Sequence, residues 1–454
     1  MAEASRTAAY RVLGRVCGGG YADILLESAL SGLSAKERPL ATELVYGVLR
    51  QLVRIDYVIS SFASVKPEKM EHKVLNSLRL GVYQLLFLTG VPAHAAINES
   101  VELVSSLGRK RTGFVNGVLR RISADGQALA FPDIAVDPVI HISTLYSHPE
   151  WIVSRWVERY GVEESVELCK ANLVQRQKCL RVNTLAVSSK EERAALIEEF
   201  TGAGFSVTPD GYSADALILE GRGRPSNESG NAQDGRYYFQ DSASQLVSCL
   251  LSPAPGSVVL DACAAPGGKS SHIAALMGNT GTLVAVERNG ERAKLLRATL
   301  HRLGVTNATV LCFDSELPLE ELPEGAPREF DSILLDAPCS GLGVLARAPD
   351  IKLRRKSGDI TELANRQKRL IKNLGRYVVP GGTLVYSVCS NEPEESTEVV
   401  EAFIADHPHF GIENAKEFLS PECAPFVDDM GYLRTYPHKA RMDGFFAARL
   451  KRNR

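Results

Sequence analysis

From about residue 246 onward, short runs of β-branched and aliphatic residues alternate with segments of helical spacing, and nothing else in the chain constrains its fold as strongly. The runs are Ser257 to Leu260, Thr282 to Val286, Thr309 to Phe313, Ser332 to Leu335 and Thr383 to Ser387. Helical segments such as Arg292 to Leu303 and Thr361 to Tyr377 separate several of them. Strands joined through helices pair in parallel, because a parallel pair needs a long crossover that a helix supplies. Residues 246–454 are therefore expected to form a doubly wound, Rossmann-like α/β domain.

In such a sheet ligands bind outside the carboxyl ends of the strands. Here the first run ends in Asp261-Ala262-Cys263-Ala264-Ala265-Pro266-Gly267-Gly268-Lys269, the second in Glu287, the third in Asp314, the fourth in Asp336-Ala337-Pro338-Cys339 and the fifth in Cys389. The first ending is a glycine-rich turn into a helix, where backbone N–H groups can approach a ligand without interference from Cβ. Gly268-Lys269-Ser270 supplies the tail of a phosphate-binding P-loop, but Cys263 stands where its first glycine belongs, and the G-x-G-x-x-G fingerprint is absent. Glu287 can accept both hydroxyls of a ribose and Asp314 an adenine amino group. Two such acids without a phosphate clamp suit an adenosyl cofactor lacking phosphates, S-adenosylmethionine.

The 454 residues are long for one domain, and three units are expected. Residues 1–135 read as all helix: Leu44, Val48, Leu52, Ile55 and Ile59 make one apolar stripe, and Val74, Leu75, Leu78, Val82 and Leu85 another. Breaks fall at Gly18-Gly19-Gly20, Lys66-Pro67 and Gly90-Val91-Pro92. Residues 140–245 mix helical segments (Trp151 to Tyr160, Lys190 to Phe200) with β-like pieces such as Cys179 to Asn183, which predicts a small α+β unit. The stretch from Gly221 to Gly235 is rich in Gly, Ser, Asn and Pro and reads as an exposed loop.

With 44% hydrophobic and 23% charged residues and no apolar run long enough to span a bilayer, neither a membrane role nor secretion is expected, which leaves the cytoplasm. The net charge is −2, so any polyanion site must be local. Between Arg347 and Arg376 ten Lys and Arg, among them Lys352, Arg354 and Arg355, face three acids; the run reads either as a solvated face or as a tract that follows phosphates. The nine cysteines form no C-x-x-C pair, which argues against a disulfide framework and against a bound metal, and most are expected to be buried free thiols.

Tyr46 to Arg50, Pro92 to Glu99 and Gly113 to Arg121 resemble the NusB-like RNA-binding domain. Asp261 to Ser270, Asp336 to Val344, Pro349 to Lys352, Tyr386 to Ser390, Pro393 to Glu395 and Asp443 to Phe446 resemble the RNA cytosine-C5 methyltransferases, and Gly235 to Leu246 resembles the segment leading into their cofactor domain. The combination resembles the bacterial enzymes of that family that act on 16S ribosomal RNA. The resemblance implies a methyltransferase domain over 246–454, S-adenosylmethionine bound by Cys263, Ala264, Ala265, Pro266, Gly267, Gly268, Lys269, Glu287, Asp314 and Asp336, and RNA as partner. Glu287 departs from the family's usual Asp, Val388 from its Thr, and Arg347-Ala348 from a more basic pair; these bear on affinity rather than on reaction type.

C5 of cytosine is too weak a nucleophile to attack a sulfonium methyl unaided, and a thiolate added at C6 activates it. The resemblance implies Cys389 as that nucleophile and Cys339 as the residue assisting release. The opposite assignment stands beside it, because DNA cytosine methyltransferases carry their nucleophile in a Pro-Cys turn like Pro338-Cys339. The same chemistry on transfer RNA, or a non-catalytic RNA-binding assembly factor, are the competing functions; the target cytosine and the oligomeric state are not encoded in any motif.

Overall fold

The computed structural model describes residues 4–221 and 235–453. They form two compact units, Met1–Gln175 with Leu345–Ser357, and Arg176–Val344 with Gly358–Arg454. All but the two end glycines of the stretch read above as an exposed loop, residues 222–234, lies outside the described residues.

The first unit is helical: α1 (Ala4–Cys17), α2 (Ala22–Leu30), α3 (Arg38–Arg50), α4 (Leu52–Phe62), α5 (His72–Leu86), α6 (Ala93–Glu102), α7 (Arg109–Asp125), α8 (Pro138–Leu145), α9 (Glu150–Tyr160) and α10 (Val162–Leu173). Each sequence break falls between helices. The stripe from Leu44 to Ile59 is shared by α3 and α4, which part at Gln51, yet all five of its residues are buried in one core with Leu78, Val82, Val118 and Leu119. Alpha-8 starts where Asp137 accepts from the Ile140 N–H and Pro138 takes the first turn.

Residues Leu345–Ser357 belong to this helical unit although they lie late in the chain. Here the expectation that Lys352 follows phosphates is overturned. Lys352 is only 6% exposed, and its Nζ donates to the carbonyls of Arg50 (2.7 Å) and Ser147 (2.6 Å). Arg354 pairs with Asp350 at 2.9 Å and lies over the ring of Tyr21. A run of like charges in sequence was read as one surface, but a helical turn at Ile351–Arg354 points Lys352 inward.

The second unit holds two sheets. Strands β1 (Lys178–Val182), β2 (Ser206–Pro209), β3 (Ala216–Glu220) and β4 (Tyr237–Phe239) pair antiparallel in the order β2-β3-β1-β4. Helix α11 (Lys190–Gly202), opened by a Ser189/Glu192 capping box, buries Leu196 and Phe200 against Leu180, Val182, Leu217 and Tyr237.

After α12 (Ser242–Leu251) come β5 (Val258–Asp261), α13 (Gly268–Leu276), β6 (Thr282–Val286), α14 (Gly290–Arg302), β7 (Ala308–Leu311), β8 (Phe330–Asp336), α15 (Ser357–Gly375), β9 (Val378–Val388), α16 (Thr397–Asp406), β10 (Phe410–Glu413), β11 (Leu433–Arg434) and β12 (Phe446–Arg452). The five expected strands pair in parallel in the order β9-β8-β5-β6-β7. Beyond β9 the sheet continues antiparallel through β12 and β10, an extension the sequence pattern missed. Its cause is Arg449, buried in the middle of β12 and satisfied by Glu413, Thr383 and the carbonyls of Leu250 and Leu251, which breaks the aliphatic run that marks an inner strand.

The cysteines also need correcting. Cys169, Cys179 and Cys423 are buried, but Cys249, Cys263, Cys339 and Cys389 are partly accessible and Cys17 and Cys312 exposed, so burial is not the common fate. Among the described residues no helix is long and apolar enough to cross a membrane.

Candidate active site

The carboxyl ends of β5, β6, β8 and β9 converge. Asp261 is the last residue of β5, and Cys263, Ala264, Ala265, Pro266, Gly267, Gly268 and Lys269 form the turn into α13. Gly267 has φ of 107°, and a Cβ there would meet Leu296 at 3.0 Å and Thr299 at 3.2 Å, so only glycine lets the turn close on α14. The turn is fixed from behind by Arg181, which sequence reasoning missed. Its guanidinium, 1% exposed, donates to Gln240 (2.7 Å), the Gly268 carbonyl and Ser271 (2.7 Å), and burial lowers its pKa to about 10. No local pattern separates such an arginine from a surface one.

Lys269 and Asp336 form an ion pair at 2.7 Å, and the Ser387 hydroxyl donates to the other oxygen of Asp336 at 2.8 Å. Burial alone would lower the Lys269 pKa, but the charge and hydrogen bond of Asp336 outweigh it and hold the ammonium protonated, with a further favourable interaction toward Cys389. The ammonium also lies 5.2 Å from the centre of the Phe445 ring. Asp261, fully buried, is pushed up to about 7 by burial, with Ser270 pulling down and Asp336 pushing up. Burial, then the carboxylates of Asp261, Asp336 and Glu287, push the Cys263 thiol up. That thiol is thus held neutral, as befits a packing role.

The two remaining thiols meet. Cys339 Sγ and Cys389 Sγ are 3.2 Å apart, with either able to donate to the other. The Cys339 thiol is raised well above its ordinary value by the hydrogen bond to Cys389, then by burial and by the charges of Cys389, Glu395 and Asp336. The loop after Cys339 is held by the Gly343 N–H on the Cys389 carbonyl at 3.0 Å, and by close approach of Gly343 to Gly444, whose carbonyl a Cβ would strike.

Glu287 is 5% exposed; one oxygen accepts from the Asn289 N–H at 2.9 Å and the other faces Arg292 at 3.5 Å. Each carboxylate oxygen can accept twice, so capacity for two hydroxyls remains. Asp314 is less enclosed: its side chain is 35% exposed, it accepts from the Glu316 N–H, and Arg288 stands 3.7 Å away. The expected third ending lies three residues past β7 rather than next to it. In the basic helix α15, Arg366 and Arg369 both pair with Glu316 and Lys372 with Asp406, and Arg369 and Lys372 are exposed, which agrees with the solvated-face alternative.

Comparison with known proteins bears on the family and on the division of the chain. Three family models match in succession: the NusB family over residues 3–124, the RsmF/B-like ferredoxin-like domain over 148–224, and 16S rRNA methyltransferase RsmB/F over 248–451. The chain is 38% identical to a probable ribosomal RNA small subunit methyltransferase B of Bacillus subtilis, covering 95% of each chain. It is 35% identical to the ribosomal RNA small subunit methyltransferase B of Vibrio cholerae, covering 94% of this chain and 92% of the other. The crystal structure of PH0851 superposes with a TM-score of 0.81 at 24% identity, covering 98% of each chain, which shows the same fold throughout. A NusB-like bundle, a ferredoxin-like domain and a Rossmann-like domain with a mixed sheet thus follow one another, and the protein belongs to the RsmB/F family of 16S rRNA methyltransferases.

Proposed function

We propose that the protein transfers a methyl group from S-adenosylmethionine to C5 of a cytosine in 16S ribosomal RNA, with Cys389 as covalent nucleophile. The observation that carries this reading is the thiol pair at the ends of β8 and β9, 3.2 Å apart and beside the Lys269–Asp336 ion pair. The cofactor, when bound, supplies an electrophilic sulfonium methyl. The Cys263–Lys269 turn, Glu287 and Asp314 carry donors and acceptors suited to its amino acid and adenosine parts, and Asp336 stands where that site meets the base. In this reading residues 1–135 and 140–245 present the RNA to the catalytic domain, 246–454.

The Cys389 thiolate forms a bond to C6 and the C5–C6 π pair moves to C5. C5 would then take the methyl that the bound cofactor supplies, the leaving sulfonium sulfur keeping the bonding pair. The C5 proton is lost to water, the pair it leaves restores the C5–C6 double bond, and the C6–sulfur bond breaks to return the Cys389 thiolate. The Cys339 S–H can donate to that departing thiolate. Lys269 favours negative charge at Cys389, and Asp336 holds Lys269 in place while offering an acceptor to the cytosine amino edge.

Denaturing electrophoresis of the two single variants with RNA and S-adenosylmethionine tests the assignment. Cys389→Ala yields neither methylated RNA nor an adduct, whereas Cys339→Ala methylates, releases slowly and leaves a protein–RNA complex that survives denaturation. An adduct with Cys389→Ala and none with Cys339→Ala reverses the roles. Bisulfite sequencing of RNA from cells with and without the protein identifies the cytosine, and a change confined to transfer RNA overturns the ribosomal target.

A further inference from the structure

One buried acid beside the thiols has no part in the steps above. Glu395 is fully buried in the turn Pro393–Glu395. Its Oε1 accepts from the Ser340 backbone N–H at 2.7 Å and from the Gln367 amide at 3.1 Å; its Oε2 accepts from the Ser340 hydroxyl, and the Ser390 hydroxyl also donates to the carboxylate. Ser340 and Ser390 are themselves 3.2 Å apart, and the Gln367 amide reaches the Pro338 carbonyl as well. The Glu395 backbone carbonyl accepts from the Tyr386 hydroxyl. Ser340 follows Cys339 and Ser390 follows Cys389, so one carboxylate is bonded to the residue after each thiol.

We propose that Glu395 is a positioning residue of the reaction: its carboxylate locks the two cysteine loops together, and its negative charge keeps the shared thiol proton on Cys339, leaving Cys389 as the nucleophile. The proposal rests on the thiol chemistry proposed above and says what breaks the symmetry of a sulfur pair in which either atom can donate. Two contacts to Oε1 come from groups that can only donate, the Ser340 N–H and the Gln367 amide, and an ionised carboxylate satisfies both while its other oxygen takes the serine hydroxyls. Burial works against that charge and outweighs the donors that work for it, so the carboxyl lies above its ordinary value. The hydrogen bond to Cys389, burial and the charge of Cys389 raise the Cys339 thiol first, and a fixed anion beside the Pro338-Cys339 turn penalises a second anion there further, while the Lys269 ammonium interacts favourably with Cys389. A protonated Cys339 is also what elimination needs, since it must donate to the leaving thiolate.

The test reads the thiols directly. The folded full-length protein is treated with iodoacetamide between pH 6 and 9, and initial alkylation rates of Cys339 and Cys389 are read separately by peptide mass spectrometry. Cys389 should react at least about tenfold faster than Cys339 at neutral pH, since only a thiolate attacks. Glu395→Gln keeps shape and removes charge, and should narrow that ratio by about tenfold. Gln367→Ala removes two hydrogen bonds and keeps the charge, so the ratio should persist. An unchanged ratio in Glu395→Gln, or equal narrowing in Gln367→Ala, reduces Glu395 to a packing contact and overturns the proposal. The wild-type order decides the matter if Glu395→Gln does not fold: Cys339 reacting first overturns it. Alkylation is independent of methyl transfer, so a protein that never modifies cytosine but keeps this order sinks the proposed function and not the charge division.

Discussion

Replacing Lys352 by methionine keeps the aliphatic stem and removes the amine that joins two carbonyls in the helical unit. The carbonyls of Arg50 and Ser147 then lose their donor, at a cost of about 1–3 kcal/mol each when buried. Burial, opposed by Cys169 and reinforced by Arg50, lowers the Lys352 pKa from 10.5 to about 7. The buried imidazole of His148, itself lowered by burial and then by Lys352, adds no compensating negative charge. Because the folded value lies below the unfolded one, the unfolded chain holds the proton and the folded chain does not between pH 7 and 10.5, so stability rises with pH across that window. The gain is about 1.4 kcal/mol per pH unit, and below the window the full cost of burying the ammonium is present. The methionine variant has no such term. Its deficit relative to wild type should therefore widen by about 2 kcal/mol between pH 7.5 and 9. Both tryptophans, Trp151 and Trp156, lie in α9 of the same unit, so urea unfolding followed by tryptophan fluorescence reports this unit selectively. A deficit that stays constant with pH refutes the buried neutral amine. A flattened salt dependence of RNA affinity with unchanged stability restores the phosphate-tracking role instead.

Two further outcomes follow from the geometry of the cofactor turn. Glu287→Ala should weaken S-adenosylmethionine binding by about ten- to a hundredfold in calorimetry, and Asp314→Ala by less because that side chain is 35% exposed; RNA binding stays nearly intact, and unchanged cofactor affinity in both variants removes the basis for the site. Arg181→Met leaves Gln240, the Gly268 carbonyl and Ser271 without their shared donor, so the unfolding of the second unit, followed by circular dichroism, should lose about 3–5 kcal/mol and cofactor affinity should fall with it; an unchanged midpoint means the turn holds its shape unaided.

Four of the five parallel strands were legible because they are inner strands, largely buried, and so read as continuous aliphatic runs such as Leu283 to Val286; β7, at the sheet's edge, is only partly buried. The antiparallel extension was not legible, because β12, although paired on both sides by β9 and β10, carries the buried Arg449 and passes for loop until its partners are seen. Boundaries shifted where punctuation misled: β9 starts at Val378 and runs through Pro380-Gly381-Gly382, although those residues resemble a turn. Gly381 has φ of 77°, and the β8 register slips between Phe330 and Ser332, so the strand absorbs the irregularity as a bulge rather than ending there.

The chemistry-bearing residues were legible for a different reason, since strand ends place them at one edge of the sheet whatever the details of packing. Cys339 and Cys389, like Lys269 and Asp336, are far apart in sequence yet within bonding distance, because β8 lies between β5 and β9 in the sheet order. What strand-end reasoning cannot see is the layer behind them. Glu395, Gln367, Ser387 and Arg181 touch the site through side chains whose direction depends on tertiary packing, and three of them look like ordinary polar residues in helices or strands. The same blindness produced the error at Lys352, where charge density in a run of residues was read as surface. A charge count sums over positions, whereas burial is decided one side chain at a time. The same basic residues that would follow a phosphate backbone can equally well cap carbonyls, as Lys352 does, or pair with carboxylates, as Arg366 and Arg369 do with Glu316.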